Sequence, residues 1–167
     1  MHIRQIDYLA SVIANCHDQQ VIGRTKLQKI IYLLQECGLP SNYSYSMYFY
    51  GPYSEDVKAD LAVLKYSHII DETLASKKGE EGEYYVLKVI DKEFEPIDLS
   101  NWRDAIEEMD NTDSVILELA ATYVEFRDSG YDEKEAEERV RRMKGLKCGH
   151  GNLKAALDLI QNLGLNR

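Results

Sequence analysis

Leu27, Ile30, Ile31 and Leu34 fall at i, i+3, i+4 and i+7. That spacing puts four large aliphatic side chains on one face of a helix. A helix of this length is marginal in water by itself, so the stripe must be covered by the rest of the chain. Thr25 opens the helix as an N-cap, with Gln28 three residues on completing a capping box. Gly38 and Pro40 stop it. Lys26 and Lys29 are expected to point away from the apolar stripe.

The other segments arrange themselves around this helix. Ile3, Ile6, Leu9, Val12 and Ile13 predict an amphipathic helix over 3–15, and the polar stretch 15–23 reads as a loop. Residues 43–50 begin with tyrosines alternating with serines, a strand pattern, and Gly51-Pro52 reads as the turn after it. Ser54 caps a third helix whose first turn holds Glu55 and Asp56 and whose buried stripe is Val57, Leu61 and Leu64. Strands at 69–74 and 84–90 flank a hairpin tip containing Lys77, Lys78, Glu80 and Glu81. Residues 91–98, with Pro96, form a connector. Helices follow at 101–109 (cap Ser100), through 127 (cap Thr112 or Asp113), at 133–144 (cap Asp132) and at 153–163 (cap Asn152). The fold class expected is mainly α with a small β component. Residues 1–92 read as a winged-helix-like domain, from the order helix, helix, helix, hairpin, and residues 98–167 as a helical C-terminal extension.

Charge narrows the partners. The 167 residues carry 29 Asp and Glu against 20 Lys and Arg, a net charge of −9. Residues 1–95 hold 14 acids and 10 bases, and the remainder 15 and 10, so neither half is basic. Duplex binding draws its affinity from cations that neutralise phosphate, and this balance disfavours it. No apolar run approaches a membrane span and the N-terminus lacks a leader's apolar region. Three cysteines, Cys16, Cys37 and Cys148, show no metal spacing. Together these features predict a cytoplasmic chain with reduced thiols, no membrane partner and no cofactor.

The residues Thr25-Lys26-Leu27-Gln28-Lys29-Ile30-Ile31-Tyr32-Leu33-Leu34, the aromatic strand, Tyr50-Gly51-Pro52-Tyr53-Ser54, and Asp60-Leu61 with Leu64 resemble the YwgA-like proteins. More distantly they resemble the Panacea (SocA-like) antitoxin domain, which pairs a Lys-Leu-Gln-Lys-like helix with a Tyr-Gly-Pro motif. The resemblance spans about residues 1–90. It implies a winged-helix-like fold in a prokaryotic cytoplasmic protein and, from the Panacea side, neutralisation of a toxin by direct binding. It brings no catalytic residues.

Two readings of the Tyr-Gly-Pro-Tyr-Ser segment stand side by side. In one, Tyr48, Tyr50 and Tyr53 form an exposed aromatic contact surface. In the other, their rings are buried and their hydroxyls hydrogen-bonded. The third helix presents Glu55, Asp56, Lys58, Asp60 and Lys65, a poor match to the Arg, Lys, Asn and Gln of a groove reader. From Arg139 to Lys154 the chain carries Arg139, Arg141, Arg142, Lys144, Lys147 and Lys154 with no acid between them. This stretch is either a phosphate- or acid-binding patch or the basic end of a solvated helix with Glu135–Arg139, Glu137–Arg141 and Glu138–Arg142 pairs. Cys16-His17 and Cys148 beside His150 lack the third orienting group of a nucleophilic site.

The function expected is therefore a non-enzymatic protein-binding module, antitoxin-like or regulatory, that occludes a protein partner, for example a toxin. Its contact residues would be Tyr48, Tyr50, Tyr53, Glu55, Asp56 and Asp60. The alternative is a winged-helix transcription regulator that holds DNA phosphates with Lys26, Lys29, Arg139, Arg141, Arg142 and Lys144. A homodimer through the helical tail is compatible with either.

Overall fold

A computed structural model describes residues 3–76, 78, 79 and 81–167. Lys77 and Glu80 of the hairpin tip, and Met1 and His2, lie outside the described residues. The architecture is mainly helical with two small antiparallel sheets. In chain order it runs α1 (Gln5–Asn15), β1 (Gln20–Ile22), α2 (Arg24–Glu36), β2 (Ser46–Tyr48), β3 (Gly51–Tyr53), α3 (Glu55–Tyr66), β4 (Ile70–Ser76), β5 (Glu83–Val89), α4 (Arg103–Asp110), α5 (Ser114–Asp128), α6 (Glu133–Lys144) and α7 (Asn152–Asn162). Strands β1, β5 and β4 form one sheet in that spatial order, and β2 and β3 form a separate hairpin.

Helix α2 is the axis. Every residue from Leu27 to Leu34 is buried, because α5, α4, β3 and β1 surround it. The expected stripe is fully enclosed, and so is the flank that carries Gln28 and Lys29. Truncating any one of these aliphatic side chains to Ala would cost about 2–5 kcal/mol. Helix α5 answers α2 with eight consecutive buried residues, Leu117 to Val124, and packs in turn on α7, α6 and β3. One contiguous set of buried apolar residues runs from Tyr8 to Leu165.

Several local expectations need correction. Helix α2 starts at Arg24 behind Gly23, with no side-chain cap, so Thr25 and Gln28 form no capping box. Asn152 is the first residue of α7 rather than its cap, and its amide donates to the Lys147 carbonyl at 3.0 Å. The loop 15–23 contains a 3-10 turn at His17–Gln19 and strand β1. With three residues β1 is too short to show alternation, and only its pairing with β5 (Val21 opposite Leu87) defines it. Gly51-Pro52 is not a turn: both residues belong to β3, and the hairpin turns at Phe49 and Tyr50. Ser54 and Asp132 cap their helices as the sequence indicates, with Asp132 and Glu135 closing a capping box, and of the two residues offered for α5 it is Asp113 that caps. Ser100 instead starts a 3-10 turn, Ser100–Trp102, ahead of α4.

The ends of α2 and α5 meet in an acidic cluster. Tyr32 donates its hydroxyl to Glu125 at 2.8 Å, and Glu36 lies 3.0 Å from the Arg167 guanidinium. Burial, followed by the hydrogen bond and charge of Asp128, pushes the Glu36 carboxyl up from 4.5 to about 7, with Arg167 pulling the other way. An acid raised on folding stabilises the fold while protonated and loses that contribution as pH climbs from about 4.5 through 7. The variant Glu36→Gln, which keeps a neutral group, should therefore be near neutral at pH 5. At pH 8 it should be more stable than wild type by about 1 kcal/mol, allowing for solvent screening. Urea unfolding at the two pH values checks this; equal effects at both would refute it.

Candidate functional site: an aromatic hairpin held by buried ions

Strands β2 and β3 pair Ser46 with Tyr53, Met47 with Pro52 and Tyr48 with Gly51. The hairpin leans on α5 so closely that residue 51 has no room for a side chain. Gly51 has φ +92°, and a Cβ there would lie 2.6 Å from Thr122 Oγ1. Four polar contacts fasten its backbone. Lys29 Nζ donates to the Pro52 carbonyl at 2.6 Å and Lys144 Nζ to the Phe49 carbonyl at 2.9 Å. Gln28 reads Ser54 twice, its amide donating to the Ser54 carbonyl and its oxygen accepting from the Ser54 N–H, both at 2.9 Å. Ser54 Oγ then accepts from Val57 N at 3.2 Å and starts α3.

The lysines at the hairpin are charged groups taken out of water, which is costly unless they are paired. Glu118, 3% exposed, accepts from Lys144 Nζ at 2.7 Å and from Lys147 Nζ at 3.0 Å. Burial holds the Lys29 ammonium down at about 8; Glu118 opposes that shift and Lys144 adds to it. The result is an ionic cluster beneath the hairpin, built from α2, α5, α6 and the turn that follows α6.

Above the cluster the tip is aromatic and wet. Phe49 is 81% exposed, Tyr50 53% and Tyr48 48%. Phe49 and Tyr50 meet edge to face with ring centroids 5.1 Å apart, as do Tyr48 and Tyr53 at 5.2 Å. Lys147 lies 4.8 Å from the Tyr50 ring centroid. Leu146, flanked by Lys144 and Lys147 that both touch the hairpin, is also exposed, as is Met143. Adjoining apolar groups in water are the usual mark of a contact surface. Their rings sit on a backbone already fixed, so little conformational freedom is left to lose on binding.

The expected site residues separate into groups. Tyr48 and Tyr50 are exposed at the tip, Tyr53 is half-buried, and Glu55 and Asp56 are exposed at the start of α3. Asp60 is half-buried and accepts the Tyr43 hydroxyl at 2.7 Å. The cation set is different. Lys29 and Lys144 are enclosed, and Lys26 donates to the Asp110 carbonyl at 2.5 Å, where it caps the end of α4. Lys29 does not point away from the core: the flank of α2 that carries it faces β3 and α5. Arg139 lies 3.8 Å over the Tyr131 ring, Arg141 pairs with Glu137 at 3.7 Å, and Arg142 is exposed. Of the three expected i,i+4 pairs on α6, Glu137–Arg141 is the one formed among the described residues. Phe49, Glu118 and Thr122 are site residues that the sequence reading passes over. Phe49 adjoins the Tyr-Gly-Pro motif; a glutamate and a threonine inside the apolar stretch of α5 were the available signal for the other two.

The thiols are not activated. Burial pushes Cys16 up to about 12 and Cys37 up to about 11, and raises Cys148 as well. Among the described residues no group of three or more His, Cys, Asp or Glu is placed to hold a metal ion. No described helix is long and apolar enough to cross a membrane.

No family model matches the chain. It is 32% identical over 132 residues to the Uncharacterized protein YwgA of Bacillus subtilis (strain 168), across 75% of this chain and 76% of that protein. The chain belongs to the YwgA family.

The close approach at residue 51 is directly testable. Gly51→Ala should destabilise the protein by about 2–4 kcal/mol, from the left-handed backbone and the clash with α5. Adding Thr122→Ala should recover part of that loss, since it removes the atom that Cβ would strike. Thermal or urea unfolding of the single and double variants measures both.

Proposed function

We propose that this protein is a non-enzymatic protein-binding module, antitoxin-like or regulatory, that acts by covering the working surface of a protein partner. The observation that carries the reading is the tip Tyr48–Phe49–Tyr50. Three neighbouring aromatic side chains stand exposed on a hairpin held by four polar contacts, three of them buried and one partly so. A few residues carry most of the binding energy of a protein interface, and tyrosine is among the types enriched there. The exposed acids Glu55 and Asp56 open α3, directly after the hairpin's second strand, and extend the surface with polar groups. The antitoxin direction comes from the resemblance of 25–34 and 50–54 to the Panacea domain. In this reading residues 1–92 are a winged-helix-like frame, supported by the order α1, β1, α2, α3, β4, β5 and the β1–β5–β4 sheet. Residues 98–167 are a helical extension that braces it, with α5 set against α2 and β3.

The test is a native-host co-purification with wild type and with Phe49→Ala/Tyr50→Ala. A stoichiometric protein should accompany the wild type, and its affinity should fall at least about 30-fold in the variant, a loss of two aromatic anchors. Circular dichroism of the variant should be unchanged. A partner held equally well by both, or none under several growth conditions, defeats the reading.

The same frame favours a second reading, a transcription regulator. Its support is thinner, because Lys29 and Lys144 are enclosed and α3 leads with acids. We expect no salt-dependent retention of duplex DNA on a filter. Retention that disappears in Arg141→Glu/Arg142→Glu would instead favour the regulator.

A further inference from the structure

Between the start of α2, the end of β3, α3 and β4 lies a cavity of about 360 Å3, toward the small end of the roughly 300–1,000 Å3 common for ligand pockets. Three cations converge on it, Arg24, Lys58 and Lys65, against one carboxylate, Glu72. That local excess of two positive charges stands in a chain that is −9 overall.

The cations are not equivalent. The Glu72 side chain is 5% exposed and takes both Nε and Nη2 of Arg24, together with Lys65 Nζ at 3.0 Å. Arg24 is further fixed with its guanidinium carbon 3.9 Å over the Tyr85 ring. The planar guanidinium fork, which suits carboxylate and phosphate alike, is therefore satisfied within the protein. What stays unused is different chemistry. Lys58, Thr25 and Tyr53 line the same cavity, and their side chains make no hydrogen bond or ion pair among the described residues. A compact ammonium and two hydroxyls, in a field of net positive charge, favour an anion with two charges and several acceptor oxygens, as a phosphate dianion has, over a singly charged carboxylate. Leu61 and Ala62 supply an apolar wall beside them.

We propose that this cavity binds a small phosphomonoester, with Lys58, Thr25 and Tyr53 holding the phosphate oxygens and Leu61 and Ala62 covering the organic body. The site does not rest on the protein-binding reading: the tip variant Phe49→Ala/Tyr50→Ala leaves all five of these residues in place.

Isothermal titration of the full chain with phenyl phosphate, adenosine monophosphate, inorganic phosphate and benzoate tests the proposal. At least one ester should bind saturably, with benzoate about tenfold weaker or more. Lys58→Ala should weaken that ester about tenfold or more, the worth of a charge-assisted hydrogen bond. Glu72→Gln, which leaves the cavity more positive, should tighten it. Lys58 is exposed and bears no partner among the described residues, so its variant folds normally and carries the test even if Glu72→Gln is unstable. The proposal is overturned if neither ester gives saturable heat at millimolar concentration. It is equally overturned if benzoate or inorganic phosphate binds as tightly as the esters, or if Lys58→Ala leaves binding unchanged.

Discussion

The contact between the backbone of β3 and the buried ions beneath it is the constraint on which the surface of this protein depends. Lys29 and Lys144 reach carbonyl oxygens at Pro52 and Phe49, and Glu118 gathers Lys144 and Lys147. Desolvating charges carries a cost that ordinary apolar packing does not, and their mutual attraction works against it. What the arrangement supplies is position. Ammonium groups bonded to specified carbonyls fix the register of the hairpin against α5, where an apolar contact would tolerate sliding. Gly51 is part of the same constraint, since the approach that lets Lys29 reach Pro52 leaves no space for a Cβ.

This explains why the aromatic tip stays out of the core. Phe49 and Tyr50 occupy the two turn positions of a hairpin whose arms are pinned, so both rings stand in water, with Lys147 of the ionic cluster against the Tyr50 ring. The proposed protein-binding role draws on that geometry. The proposed phosphomonoester site shares Tyr53 of β3 with the hairpin and otherwise draws on the first turn of α2, on α3 and on β4. The two proposals ask different things of one acidic chain: an aromatic tip for a protein surface, and a locally cationic cavity for a small anion.

Much of the fold was legible from residues alone because local rules settled it. Ser54, Asp113 and Asp132 begin helices since a side-chain oxygen there satisfies an otherwise unpaired N–H. The stripes of α2 and α3 are buried where their periodicity puts them. The site was legible in part: the tyrosines of 48–50 were visible as an aromatic cluster, but whether they faced water or the core was not. The errors share one cause. Thr25 with Gln28 matches a capping box, yet a tertiary partner, the Ser54 backbone, claims Gln28. Gly51-Pro52 looks like a turn, yet its glycine is needed for close approach to α5.

Sequence by itself determined which segments are helical, which faces of α2 and α3 are apolar, and that the chain is acidic, because those properties depend on neighbours within one or two turns. Tertiary structure alone decided which charges are available. Lys29 and Lys144 resemble surface cations in any linear reading, but contacts 23 and 95 residues away carry them inside. A burial that depends on what another segment brings to the same place has no local signature, and so only the folded chain could reveal it.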